Sequence, residues 1–273
     1  MDRCLTRLAR QLAAVARRDA RVQRTYGVSA ALGLLSSGFG LLSYHFVGRL
    51  VPSGGSTPLP ASGYFAFVCT GLMLHMMVMA TLSALGGALA REAAEGTLEP
   101  ALASGVSPAA LVSGSTAVPL GLALLQALIY AGAGGFISGI AWSQACVVAA
   151  LVTLAATLVA CAPLGLLGAA LWLVLRRPGV VTTMTAFGFG ILGGVYFPVT
   201  LLPTPLQAAA DWVPLTVGLR AFRAALLEGA GLAQAAPALG RLALVATLTF
   251  PPAALALRFA FDRARRRGSL ALS

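Results

Sequence analysis

The chain has no lysine, and charge of either sign is scarce. Of its 273 residues 10% are charged, with eight acidic side chains and two histidines. A soluble globular domain carries about 25% charged residues, so that class is excluded. With no lysine there is no glycine-rich phosphate loop ending in Gly-Lys-Ser/Thr, so the chain does not hydrolyse ATP. The two histidines, His45 and His75, are far apart, and no acidic residue lies near either in an apolar stretch. That removes the usual acid–base and nucleophile constellations. Cys4, Cys69, Cys146 and Cys161 have spacings that fit neither a metal site nor a redox pair. The first 25 residues lack a continuous apolar run, so no signal peptide is expected.

What fills the chain instead is apolar. Hydrophobic residues make up 58%, mean hydropathy is +0.87, and several runs exceed about 18 residues. These features describe an all-α polytopic membrane protein with one membrane domain. The net charge of +11 rests on arginine alone. Those arginines sit at the ends of apolar runs rather than on a soluble face, so membrane lipid headgroups, not nucleic acid, are the expected partner.

In chain order, residues 1–25 read as an amphipathic interfacial helix. Arg3, Arg7, Arg10, Arg17, Arg18, Arg21 and Arg24 gather on one side, with Leu5, Leu8, Leu12, Val15 and Val22 on the other. A soluble tail with a charged face is the blander alternative. A six-span domain follows over 26–262, then a basic tail over 263–273. Spans are expected at about 26–47, 64–90, 108–136, 145–175, 180–196 and 242–261, with Pro119 kinking the third. Pro163 falls inside the fourth, and Pro251-Pro252 interrupt the last. Residues 132–142 read as a short turn. Residues 197–240 hold Pro198, Pro203, Pro205, Pro214 and Pro237, too many for a straight span. Two short helices, about 206–213 and 215–227, are expected there, re-entering the outer leaflet without crossing.

Arginine sets the orientation. With the N-terminus inside, the N-helix, the loop after span two, the Arg176-Arg177 turn and the tail hold fourteen arginines. The outside loops hold four: Arg49, Arg220, Arg223 and Arg241. Both termini are therefore expected in the cytoplasm.

Glu92, Glu95 and Glu99 are the one place where three acidic residues fall within eight positions. Gly96 suits release of the preceding helix, and Thr97 is a good N-cap. Glu99 favours the positive end of a new helix, and Pro100 is tolerated in its first turn. A short helix over about 97–105 is expected, closed by Gly105. An ordinary acidic loop is the alternative.

These residues also carry a resemblance. Glu95-Gly96-Thr97-Leu98-Glu99, Leu102, Val106-Ser107-Pro108 and Gly114 resemble the cytoplasmic motif of type-2 ABC exporter permeases. Pro100 and Gly105 depart from it without removing a charge or a cap. Phe197-Pro198, Leu202-Pro203, Leu206, Pro214-Leu215-Thr216 and Ala221-Phe222-Arg223 are similar to the family's re-entrant extracellular helices between spans five and six. The resemblance implies a coupling helix that docks, through Glu92, Glu95, Gly96, Thr97, Leu98 and Glu99, into a separate ABC ATP-binding subunit. It implies an outer gate near Pro198, Pro203, Pro214, Arg220 and Arg223. It also implies a second permease copy or homologous permease, no cofactor on this chain, and ATP and Mg held by the partner. The expected setting is the bacterial cytoplasmic (inner) membrane. The expected cargo is an apolar or amphipathic drug, lipid or lipid-linked saccharide moved outward.

The competing reading is an ion-coupled carrier or channel without an ATPase partner. Such proteins usually place acidic residues at midplane and often repeat internally. No Asp or Glu falls within the expected spans, and the first three do not recur in the last three. His75 lies mid-span, where an ionisable residue is a site candidate. Flanked by Met73, Met76, Met77 and Met79, it also fits plain packing with one hydrogen bond to a neighbouring helix. Arg220 and Arg223 suit an anionic headgroup or a simple interface anchor equally well.

Overall fold

An apolar segment in lipid must satisfy its own backbone N–H and C=O groups, which favours helix over open strand. The computed structural model describes residues 27–50, 63–94, 96, 114, 116–138, 142–175 and 180–266. Among them are eight α-helices and no strand. They are α1 (Gly27–Leu50), α2 (Gly63–Ala94), α3 (Ala117–Ser138), α4 (Val147–Leu175), α5 (Val180–Leu192), α6 (Thr204–Ala210), α7 (Pro214–Leu227) and α8 (Leu232–Arg266). Short 3-10 turns occupy Trp142–Gln144 and Val199–Leu201. Among the described residues four stretches are long and apolar enough to cross a membrane: Gly63–Ala88, Val118–Ile137, Val147–Val174 and Leu232–Arg263.

The hub is α2, which is apolar on every side, as a helix surrounded by others must be. Its most apolar stretch is 78% buried, against 11% for that of α8. It packs most extensively on α4 and α3 and also meets α7, α1 and α5, while α8 packs on α4. Lipid supplies no hydrophobic drive between helices, so close approach of small residues decides the packing. Gly165 of α4 shows this. A Cβ there would sit 2.7 Å from the Leu85 Cβ and 3.4 Å from the Leu82 Cα of α2. Several buried hydroxyls are satisfied along their own helices: Thr70 donates to the Ala66 carbonyl at 2.8 Å and Thr153 to that of Ala149 at 2.8 Å.

Three expectations about helix ends are corrected. Pro119 lies in the first turn of α3, where its missing N–H breaks no bond, so it starts the helix rather than kinking it. Residues 132–138, where the span expected to 136 and the turn expected over 132–142 overlapped, belong to α3, and the Trp142 indole N–H donates to the Ala131 carbonyl at 3.0 Å. The last helix begins at Leu232 and carries Pro237, Pro251 and Pro252 inside it. Residues 232–240 therefore belong to α8, and so does Asp262, an acidic residue inside a candidate span. Prolines are tolerated in such helices where neighbouring groups take up the freed carbonyls. The expected interfacial helix over 1–25 lies outside the described residues.

Candidate functional site

The proline-rich segment after α5 folds as two helices too short to cross. α6 has seven residues and α7 fourteen, the latter about 21 Å long against a hydrocarbon core of about 30 Å. Proline starts them. Pro203 is the N-cap residue of α6, and Pro214 opens α7, where the ring costs no hydrogen bond. Pro198 holds the corresponding place before the Val199–Leu201 turn. Gln207 ties the segment to itself, its Nε2 donating to the Leu202 carbonyl at 2.7 Å and the Thr200 carbonyl at 3.1 Å.

α7 is strongly amphipathic and buries Leu215, Leu219, Phe222 and Leu226 against the core. Four contacts lash it down. Near its start the Thr216 hydroxyl donates to the Leu192 carbonyl, the last of α5, at 2.9 Å. Two residues later Gly218 meets Thr157 of α4 so closely that an added Cβ would overlap the threonine hydroxyl. At its end the Cys146 N–H donates to the Ala225 carbonyl at 2.9 Å. Between these lies Arg223.

The Arg223 guanidinium reaches three carbonyls on two other segments. Nη2 donates to Phe67 of α2 at 2.9 Å and to Gly194 at 2.9 Å, with a longer contact of 3.3 Å to Val195. Nε adds a bond to the Phe67 carbonyl at 3.2 Å, and the plane lies 3.5 Å from the centroid of the Phe67 ring. Burial lowers its pKa to about 9, which leaves it protonated at neutral pH. Arg220, one turn back, faces outward in an exposed ion pair with Asp211 at 2.7 Å. The two arginines, alike as sequence candidates, therefore differ in role. Arg220 is available at the surface, and Arg223 is committed to protein carbonyls.

At the other end of α2, Glu92 is in the helix's final turn, and Gly96 follows with φ +67, the left-handed conformation that ends a helix. Glu95, Thr97, Leu98 and Glu99, with the helix expected over 97–105, lie outside the described residues. Between the two ends, α2, α5 and the chain after α5 line an open cleft of about 590 Å³, with His75 in its wall.

A family model described as ABC-2 type transporter matches residues 9–227. That match spans most of the chain and takes in both the acidic stretch and the proline-rich segment. The chain belongs to the ABC-2 type transporter family. It is a multi-pass membrane component, a permease rather than a catalyst. No match was found among curated proteins.

Sequence reasoning did not single out several residues that shape this permease. Gly71 is the foremost: a Cβ there would sit 2.6 Å from the Val195 carbonyl oxygen and 2.7 Å from the Arg223 Nη2. A glycine four residues after Phe67 leaves that carbonyl open to an arginine from outside the helix. Its only sequence signal is a glycine inside an apolar run, a weak one in membrane helices. The pairing of Tyr44 of α1 with Tyr196, rings stacked at 5.8 Å, also had no local signature.

Proposed function

We propose that this permease is the membrane half of an ATP-driven exporter, powered by a separate ATP-binding subunit docked at the acidic stretch. What supports the reading best is family membership over a region holding both matched motifs, joined by one continuous helix. α2 has 32 residues and is about 48 Å long. One end leads into Glu92, Glu95 and Glu99; near the other, Phe67 holds Arg223 of α7. Movement of the acidic stretch, driven by closure of the ATP-binding subunits, then reaches α7 through a rigid rod and a short-range latch. In this reading ATP and Mg are bound by the partner and no cofactor by this chain.

In the same reading α1 is a further span, and α5, whose thirteen residues are about 20 Å long, completes the sixth together with the chain that follows it to Tyr196. α6 and α7 re-enter the outer leaflet as the gate, with Pro198, Pro203 and Pro214 fixing their starts. Arginine bias supports cytoplasmic termini, and the family resemblance supports a bacterial inner membrane. Six spans rarely enclose a pathway alone, so a second permease copy or homologue pairs with it. The helix walls are mostly Ala, Leu, Gly and Val, which suits an apolar or amphipathic cargo entering from the bilayer and leaving outward.

Gentle detergent purification of the native complex, followed by mass spectrometry, tests this. A stoichiometric ATP-binding subunit is expected. Single cysteines at Thr204 and Glu228, in a background without the native cysteines, should both label from outside. Labelling of either only from the cytoplasm overturns the six-span arrangement.

A further inference from the structure

Lipid gives neighbouring helices no hydrophobic drive towards each other, so a helix in a bilayer stays where specific contacts hold it. α1 has few. Leu32, Leu35, Phe39, Leu42 and Phe46 are each at least 45% exposed, and among its described side chains only Leu41 is buried. Three side-chain pairs tie it down. Gln126 Nε2 of α3 donates to the Ser37 hydroxyl at 3.1 Å. His45 lies edge-to-face with Phe65 of α2 at 5.5 Å. Tyr44 stacks on Tyr196 with centroids 5.8 Å and planes 25° apart, and the two hydroxyls interact.

The tyrosine pair differs from the other two in where it reaches. Tyr196 is outside every helix, directly before Phe197-Pro198, where the short outer helices begin. Just ahead of it, Gly194 and Val195 supply carbonyls that Arg223 of α7 holds at 2.9 and 3.3 Å. Residues 194–196 are therefore gripped from two sides, the backbone by α7 and the ring by α1. Tyrosine near the end of a span commonly turns its hydroxyl to the headgroups. These two turn to each other instead, and such a pair fixes a distance and an orientation that two aliphatic side chains would not.

We propose that the Tyr44–Tyr196 stack is a strap between α1 and the outer segment, with Tyr44 the positioning residue that fixes where the chain enters Pro198 and α6. α1 and residues 196–203 move as one. A shift of α1 repositions α6 while α7, held by α2 and α4, stays in place. This gives the exporter reading, on which it rests, a second line to the gate beside that through α2.

The full-length chain, without its native cysteines, carries a single cysteine at Thr204 or at Glu228 and is placed in lipid nanodiscs. Both faces of a nanodisc are open to reagent, and no nucleotide is added. The outcome thus depends on neither topology nor an ATP-binding subunit, and the exporter reading survives a failure. The rate of maleimide labelling is measured. Tyr44→Leu, which fills the space without ring or hydroxyl, should raise the rate at 204 about fivefold, the equilibrium weight of one aromatic pair. The rate at 228 should not change. Tyr44→Phe, which keeps the stack, should keep most of the restraint. Tyr196→Leu should match Tyr44→Leu, and the double variant should exceed neither, because one contact is broken once. Ser37→Ala, which breaks the tie to α3, should leave the rate at 204 as it was. An unchanged rate at 204 in Tyr44→Leu would overturn the proposal. So would an equal rise at 204 and 228, which is general loosening, or a double variant in which the two single effects multiply. Tyr196→Leu breaks the same contact and decides the matter if Tyr44→Leu does not fold.

Discussion

The Arg223 Nη2 lies 2.7 Å from the point where a Gly71 Cβ would be. Glycine on α2 and arginine on α7 are thus a matched pair: the absence of one side chain makes room for the end of the other. The fit lets a cation reach the Phe67 carbonyl from 156 residues further along the chain.

Replacing Gly71 by alanine should therefore displace the guanidinium, since the Val195 carbonyl crowds the same space at 2.6 Å. Overpacking of this kind costs about 1–3 kcal/mol. Thermal unfolding in detergent measures it. Gly40, whose Cβ would meet nothing within 4 Å, is the control and should change little as alanine.

Arg223→Gln should destabilise by about 2–3 kcal/mol, because charge-assisted bonds to buried carbonyls are lost and those carbonyls are left wanting. Arg223→Lys should rescue little. An ammonium lacks the planar fork that spans Phe67 and Gly194 and stacks on the Phe67 ring. Comparing the two variants by thermal unfolding separates the need for charge from the need for shape.

Asp211→Asn should be nearly silent. The Asp211–Arg220 pair is short, but its side chains are 49% and 53% exposed. Such pairs contribute at most about 1 kcal/mol. A melting shift as large as that of Arg223→Gln would show that the pair is buried in the working assembly.

Gly218→Ala should be strongly disruptive, since the new methyl overlaps the Thr157 hydroxyl. Adding Thr157→Gly should recover part of the loss. A double-mutant cycle in unfolding free energy should then show coupling of about 1–3 kcal/mol. Strict additivity would mean that α7 does not rest on α4 at this point.

Much of the architecture was legible because local rules carry it. Apolar runs gave the long helices, and Pro198, Pro203 and Pro214 marked the starts of the short ones. Gly96 read as the residue that releases the preceding helix, and it follows α2 with φ +67. Errors came where tertiary surroundings override local rules. Pro237, Pro251 and Pro252 read as breaks, yet they lie within α8. Residues 132–138 read as a turn because of their glycines, which a helix in lipid tolerates. The partners of Arg223 were not legible at all: no pattern in the sequence points from position 223 to a carbonyl at position 67.

In the proposed mechanism the acidic stretch holds the ATP-binding subunit, and charge reversal there is the decisive measurement. Glu95→Arg with Glu99→Arg should leave the permease inserted and folded, with an unchanged melting temperature. The ATP-binding subunit should then no longer co-purify, and transport by the reconstituted complex should fall by at least tenfold. Retention of a stoichiometric ATP-binding subunit with normal transport in that double variant would contradict the account.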